Sequence, residues 1–254
     1  MIEIAGRLVG NAKTHSQAAP VLTIVGEIHG TREAPEAVVW LAHEAIVTGP
    51  VRIGLEIPVE ELPSIERYLA DGDRAALLAA PFWSRADEDG RSSGAMLALL
   101  TAVRALRGAG ADIDVFLFDA YTHFDGVCNR DEKMAQRVLA IARATPTAAL
   151  FVLCGNLHAR TVRGGPWEAN DYPWMASVLT RHVPIVSLNC SYRGGTAWCR
   201  MGDDESGRAH PLRGAADRGV ARHVIRYVTR DADGYDGELY LGEVHASPPA
   251  RLAR

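Results

Sequence analysis

The sequence predicts an α/β protein with a mainly parallel central sheet, helices on both faces and some antiparallel edge strands toward the C-terminus. Two observations lead to this fold class. Short apolar runs alternate with segments whose apolar residues repeat at helical spacing, and glycine, proline or charged residues separate these segments. About five such units are too few for an eight-stranded barrel, so an open sheet is favoured.

The first unit combines a strand, a turn and a helix. Residues 21–25 are an apolar run that leads into the turn Gly26-Glu27-Ile28-His29-Gly30. Apolar residues then recur with helical spacing up to Ala45, which predicts a helix from Thr31 with the Thr31 side chain as its N-cap.

The later units follow the same pattern. Residues 51–57 alternate apolar and polar side chains, as in a strand with one buried face. Further strands are predicted at 113–118, 148–154 and 185–188, with edge strands at 224–228 and 238–244 and a short strand at 2–9. Helices are predicted in two pieces within 59–80 and at 95–107, from 130 onward and at 174–182.

Composition and charge argue against nucleic-acid binding, a membrane-spanning segment and a cysteine metal site. The chain has 254 residues and a formal net charge of -4, which argues against a nucleic-acid-binding surface. The sequence has neither a signal peptide nor an apolar run long enough to cross a membrane, so we expect a single cytoplasmic α/β domain over residues 1–254. The four cysteines lack metal-ligand spacing and favour free thiols, although a Cys190–Cys199 bridge is an alternative.

Ionisable or amide side chains stand at the ends of the predicted strands. They are Glu27 and His29, Glu56, Asp119, and Asn156 and His158. In an open α/β sheet, ligands bind at the carboxyl ends of the strands, so we expect these side chains to share one pocket. Two of the ends have the form G-x-x-H, from Gly26 to His29 and from Gly155 to His158.

Two histidines and two carboxylates suit two mechanisms, and the residues alone leave both open. In the first, neutral His29 takes a proton from water, Glu27 or Glu56 orients its ring, and His158 donates a proton to the leaving group or the oxyanion. In the second, the same side chains bind a divalent metal that activates the water.

Four motifs resemble those of erythromycin esterases and the wider Tiki/TraB/ChaN group. They are GEIHG followed by TRE, LEIP at 55–58, RDEKMA at 130–135 and GNLHA at 155–159, so the resemblance covers residues 20–160. It implies that His29 is the general base, assisted by Glu27 and Glu56, with His158 opposite. Substrate contacts are expected from Arg32, Glu33, Arg130 and Asn156.

The resemblance implies a hydrolase that acts on an ester, lactone or amide in a small molecule or a peptide. The resemblance implies no cofactor with certainty and leaves open whether a divalent metal takes part, and no nucleic-acid or membrane partner is expected. A ChaN-like protein that binds haem or metal without catalysis is the alternative. The sequence does not indicate an oligomeric state.

Two further segments contain motif-like patterns. Gly90-Arg91-Ser92-Ser93-Gly94 satisfies the G-x-S-x-G pattern of serine hydrolases, but no apolar strand precedes it, so Ser92 or Ser93 is expected to cap the next helix. Residues 81–94, which include Phe82, Trp83 and Arg91, are a candidate lid or substrate wall. Gly242 to His245 repeats G-x-x-H in a segment predicted to be a terminal strand and tail.

Overall fold

The computed structural model describes residues 22–85, 89–122, 129–165, 171–200, 207–214, 219, 222–230 and 232–252. The strand predicted at 2–9 lies outside the described residues, as do His123 and Cys128. Among the described residues, no helix combines the length and the apolar character needed to cross a membrane.

The strands, in chain order, are β1 (Leu22–Glu27), β2 (Val51–Pro58), β3 (Ile113–Asp119), β4 (Ala149–Gly155), β5 (Ile185–Ser191), β6 (Gly194–Cys199), β7 (Arg208–Arg213), β8 (Val224–Tyr227), β9 (Gly237–Tyr240) and β10 (Glu243–Val244). Seven of them form the central sheet in the order β3-β2-β4-β1-β5-β9-β8. All neighbouring pairs in this sheet are parallel except β8 with β9, which confirms the predicted parallel sheet and antiparallel edge. A smaller sheet has the order β10-β6-β7.

The α-helices are α1 (Glu33–Ala45), α2 (Leu62–Asp71), α3 (Arg74–Ala79), α4 (Pro81–Ser84), α5 (Gly94–Gly108), α6 (Arg130–Ala144) and α7 (Met175–Leu179). Short 3-10 helices cover Val59–Glu61 and Ala250–Leu252.

Helices cover both faces of the central sheet because strand side chains alternate between two buried clusters. Val25, Ile53 and Leu153 face the cluster that contains the apolar residues of α1 and α5. Ile24 and Val152 face the cluster that contains those of α6 and α7. Alternation with a period of two is what a strand buried on both faces requires.

The connections that follow the neighbouring strands β1 and β4 run in opposite directions across the sheet. After β1 the chain enters α1 on one face of the sheet, and after β4 it leads to α7 on the other face. A crevice therefore opens at the carboxyl ends of these two strands, where open α/β sheets bind their ligands.

Several local predictions were correct and one was wrong. Ser93 caps α5 by accepting a hydrogen bond from the Met96 amide, as expected. The prediction that Thr31 caps the first helix was wrong: α1 begins at Glu33, and the Thr31 hydroxyl instead donates to the Ile28 carbonyl within the turn.

The cysteines and the candidate lid also have defined places. Cys154, Cys190 and Cys199 are free thiols, so the Cys190–Cys199 bridge does not form. Phe82 and Trp83 are completely buried in the core and cannot act as an exposed substrate wall.

Candidate active site

A cavity of about 320 Å³ lies at the carboxyl ends of the central strands. Six residues that the sequence pointed to line it, namely Glu27, His29, Glu56, Arg130, Asn156 and His158. Asp89, which the sequence did not indicate, and Arg91, from the candidate lid, line the same cavity.

His29 lies between two buried carboxylates in the turn after β1. Its Nδ1 atom is 3.0 Å from Glu27 Oε1, and its Nε2 atom is 3.5 Å from Glu56 Oε2. Gly30 permits this turn because its φ is +81° and because a Cβ there would lie 1.9 Å from the Trp198 carbonyl oxygen. The position of His29 is therefore fixed by both sequence neighbours and a distant strand.

These carboxylates make His29 an imidazolium at neutral pH. Burial alone would lower the pKa of His29, but the charge of Glu56 and the hydrogen bond to Glu27 outweigh burial and raise that pKa to about 10. Burial raises the pKa of Glu27, and its Oε2 atom has no hydrogen-bond partner among the described residues. The two carboxylates that contact the ring thus favour the charged form of His29, whereas the sequence led to the expectation of a neutral ring.

Glu56 is the carboxylate at the centre of the site. Its Oε2 atom accepts a 2.7 Å hydrogen bond from the Gly155 amide, and its Oε1 atom accepts from Arg130 at 2.6 Å and from Arg91 at 3.2 Å. Burial alone would raise the pKa of Glu56, but the surrounding histidine and arginine side chains hold it well below its usual range. Glu56 is thus ionised.

Asp119 binds the same two arginines from the end of β3. Its carboxylate accepts hydrogen bonds from Arg91 at 2.7 Å and from Arg130 at 2.8 and 3.1 Å. Burial opposes ionisation, yet the hydrogen bonds and charge of Arg130 lower the pKa of Asp119. Arg130 and Arg91 therefore link Glu56 and Asp119 across the strand ends.

His158 has a different set of neighbours from His29. Its Nδ1 atom is 2.7 Å from Asp131 Oδ1, and its Nε2 atom is 3.1 Å from Arg130 Nη1. A guanidinium can only donate, so Nε2 accepts this hydrogen bond and the ring proton is on Nδ1, facing Asp131. These contacts favour the tautomer whose Nε2 lone pair faces the arginine.

Asp131 is completely buried and holds His158 in place. Its carboxylate also accepts hydrogen bonds from the Met175 amide at 2.7 Å and from the Tyr172 hydroxyl at 2.9 Å. The sequence analysis did not single out Asp131, although it is the second residue of the RDEKMA motif. That position in a motif beginning with a candidate substrate-binding arginine was the signal that could have found it.

The structure does not bring Arg32 and Glu33 to the cavity, which corrects the expectation that they contact the substrate. Glu33 is completely buried and accepts hydrogen bonds from the backbone amide and the Nδ1 atom of His245, at 2.8 and 2.9 Å. The Arg32 side chain is 52% exposed and pairs with Glu33 and Glu36. The first turn of α1 directs both residues toward the C-terminal segment.

Arginine side chains face the carboxylate oxygens at the centre of the site. Within the part of the chain that the structure describes, no group of three or more His, Cys, Asp or Glu side chains is placed to hold a metal ion. The guanidinium groups of Arg91 and Arg130 already bind the oxygens of Glu56 and Asp119 that would have to face the cation.

The fold and site together define a parallel α/β protein with two histidines and several carboxylates at the strand ends. Its structure is similar to that of a variant of erythromycin esterase EreC in its open conformation, with a TM-score of 0.58 and 13% sequence identity over 86% of this chain and 80% of that one. A Bacillus cereus protein of known crystal structure matches with a TM-score of 0.57 and 10% identity over 96% of this chain and 99% of that chain.

At these identities the likeness concerns the fold, so the chain has an erythromycin esterase-like fold. Neither a protein-family model nor a curated protein sequence matches it.

Proposed function

We propose that this protein is a hydrolase that cleaves an ester, lactone or amide, with His158 and His29 as its acid–base pair. One observation carries the proposal: two imidazoles line one cavity, and their hydrogen-bond partners favour opposite protonation states. Pairs of titratable groups whose surroundings separate their charge states are typical of acid–base catalysis.

In this mechanism His158 is the general base. A water molecule displaces the Arg130 hydrogen bond, transfers a proton to His158 Nε2 and attacks the carbonyl carbon of the substrate. The buried Asp131 carboxylate stabilises the imidazolium that forms on His158. This assignment reverses the roles expected for the two histidines from the sequence.

His29 is the general acid. Its imidazolium donates the Nε2 proton to the leaving-group oxygen or nitrogen when the tetrahedral intermediate collapses, and the Glu27 carboxylate keeps the ring in position. Arg130 Nη1, which is 3.1 Å from His158 Nε2, lies where it can stabilise the oxyanion. The fold supports this reading, because the similar EreC is named an erythromycin esterase.

The test uses the full chain and a panel of p-nitrophenyl acetate, p-nitrophenyl butyrate, erythromycin as a macrolide lactone and an amino-acid p-nitroanilide. Substitution of either catalytic histidine, His29→Gln or His158→Gln, should lower kcat/KM for the substrate turned over by about 10²- to 10⁴-fold. His182→Asn changes an exposed histidine outside the cavity and should leave activity unchanged.

Equal activity of all three variants would contradict the proposal, provided that circular dichroism shows each of them folded. A haem titration separates the proposal from the haem-binding alternative, since a hydrolase of this kind should produce no Soret change.

A further inference from the structure

A second cavity, of about 200 Å³, adjoins the first. Ile28 and Asn156 line both cavities, so the two share a wall. Because β1 pairs with β4 on one side and with β5 on the other, the second cavity extends from the end of β1 toward the end of β5. A substrate held at the two histidines would have its non-reacting end within reach of this cavity.

The polar side chains of the second cavity lack partners. Asn156 and Asn189, which are half-buried, and Arg213, which is exposed, line it, and none of their side chains makes a hydrogen bond or ion pair with another described residue. The hydroxyl of Ser191, which also lines it, is buried without a hydrogen-bond partner in the described structure. A buried hydroxyl in a protein is normally hydrogen-bonded, so the free Ser191 hydroxyl, beside three polar side chains that are open to the cavity, points to a ligand.

Contacts of the backbone fix where these residues begin at the cavity wall. The amide of Asn156 donates to the Glu27 carbonyl at 2.9 Å, and its carbonyl accepts from the Tyr235 hydroxyl at 2.8 Å, which leaves the carboxamide to face the cavities. Gly214, next to Arg213, packs so closely on the Tyr192 carbonyl that a Cβ would lie 2.2 Å from its oxygen. The end of β7 is thereby fixed against the end of β5.

The chemistry of the lining selects the charge of the ligand. The described lining contains a guanidinium, two carboxamides and the hydroxyls of Ser191 and Tyr192, all of which can donate hydrogen bonds, and it contains no Asp or Glu. Ile28, Cys190 and Tyr192 add apolar surface beside them. Such a set suits an anionic oxygen group, a carboxylate or a phosphate, attached to a short carbon skeleton.

We infer that the second cavity binds an anionic group of the substrate, so that the preferred substrate is an ester or amide with a carboxylate or phosphate at its non-reacting end. The inference rests on the proposed hydrolase function, because that function places the reacting bond in the first cavity. Arg213 forms the ion pair with the anionic group, and Ser191, Asn189 and Asn156 donate the remaining hydrogen bonds.

Two measurements on the wild-type chain, on two test variants and on one control variant test the inference. Arg213→Gln removes the charge of the second cavity. Arg226→Gln is the matched control, because Arg226 is an exposed arginine on the edge strand β8 and lines neither cavity. Asn189→Ala is a second test variant that keeps the inference testable if Arg213→Gln does not fold.

The first measurement is calorimetric titration with succinate and, separately, with inorganic phosphate at constant ionic strength, so that the two anion types are distinguished. The expected result is saturable binding of at least one of them, weakened about tenfold or more in Arg213→Gln and unchanged in Arg226→Gln. Absence of saturable binding of both anions to the wild type, or equal weakening in both variants, would overturn the inference.

The second measurement compares kcat/KM for the mono-p-nitrophenyl ester of succinate with that for p-nitrophenyl butyrate, which is neutral and of similar length. The wild type and Arg226→Gln should prefer the anionic ester about tenfold or more, and Arg213→Gln should lose this preference. Hydrolysis of both esters at equal rates by the wild type would overturn the inference and leave the proposed function standing. Anion binding that depends on Arg213, with no hydrolysis of any probe, would support the anion site and count against the proposed function.

Discussion

The two G-x-x-H turns share a motif but differ in the neighbours of their histidines. The turn after β1 places His29 between Glu27 and Glu56. The turn after β4 places His158 between Asp131 and the Arg130 guanidinium, with Glu56 Oε1 3.6 Å from its Nε2 atom. A histidine between two negative charges is held protonated, whereas a guanidinium at Nε2 requires a lone pair there. Under the proposed function, the same spacing in sequence therefore gives the acid in one turn and the base in the other.

The difference arises from elements that are distant in sequence. Arg130 and Asp131 begin α6, which follows β3, and Glu56 lies two residues before the end of β2. Strand order brings β2 next to β4 and β4 next to β1, so Glu56 can reach both turns while Asp131 reaches His158 alone. Four predictions, from the largest expected effect to the smallest, test this account of the two turns.

The Asp131→Asn substitution should have the largest effect because it acts on the tautomer of the proposed base. A carboxamide whose NH₂ group donates to Nδ1 places the ring proton on Nε2. A protonated Nε2 atom cannot take a proton from water. We expect kcat/KM to fall about 10³-fold or more, by analogy with carboxylate-to-amide changes in histidine-dependent hydrolases. Steady-state kinetics measures the loss, and activity within threefold of wild type would contradict the role of Asp131. Asp112→Asn, at a surface aspartate, is the control.

The Glu56→Gln substitution should affect both turns at once. It removes the negative charge that faces His29, Arg91 and Arg130, so that Asp119 is the carboxylate left facing the two guanidinium groups. We expect a loss of about 10²-fold in kcat/KM and of about 3 kcal/mol in the free energy of unfolding. Kinetics and urea denaturation measure the two losses. Glu44→Gln, on the exposed face of α1, should change neither, and a Glu56→Gln protein as stable and active as this control would refute the prediction.

The Glu27→Gln substitution should act on the His29 turn alone. It removes one of the two charges that raise the pKa of His29 to about 10, so the alkaline limb of the pH–activity profile should move to lower pH and activity at pH 8 should fall about tenfold. If His29 were the base, wild-type activity would instead keep rising with pH up to about 10.

The same substitution also has a signature in stability. The folded-state pKa of His29, about 10, exceeds its ordinary value of 6.5, so the stabilisation from His29 is complete below pH 6.5 and is lost as pH rises toward 10. The difference in unfolding free energy between wild type and Glu27→Gln should therefore shrink across this interval. A difference that is constant with pH would argue against a protonated His29.

The Gly155→Ala substitution should have the smallest effect, since it only displaces the rings. A Cβ at Gly155 would lie 3.0 Å from His29 Nε2 and 3.5 Å from His158 Cδ2, which requires a shift of a few tenths of an ångström. We expect kcat/KM to fall about three- to tenfold. Gly108→Ala, whose Cβ would have nothing within 4 Å, is the matched control and should keep full activity. Equal activities of the two variants would mean that the rings are not constrained by Gly155.

Much of the fold and half of the site followed from the sequence because both depend on short patterns. Apolar strands ending in Glu27, Glu56 and His158 could be recognised one at a time, and a parallel sheet brings its carboxyl ends together. The helix that starts at Arg130 was equally clear, and a capping box from Asn129 and Glu132 fixes its beginning.

The rest of the site depends on contacts between distant segments that no local pattern shows. Arg91 reaches the cavity from a loop whose end is held by the C-terminal segment, through hydrogen bonds from Gly94 to Pro248 and from Ala250 to Ser92. Glu33 follows the His29 turn directly, yet its carboxylate accepts hydrogen bonds from His245, which is more than 200 residues away in the sequence. The charge state of His29 likewise depends on Glu56, which belongs to a different strand.

The protonation states of His29 and His158 are the central claim, and heteronuclear NMR of the imidazole nitrogens at pH 7.5 tests it most directly. His29→Gln and His158→Gln spectra assign the two rings in the wild-type protein. The account predicts that both nitrogens of His29 carry protons, and that His158 carries one only on Nδ1, with an unprotonated Nε2. A neutral His29 together with a doubly protonated His158 would contradict it.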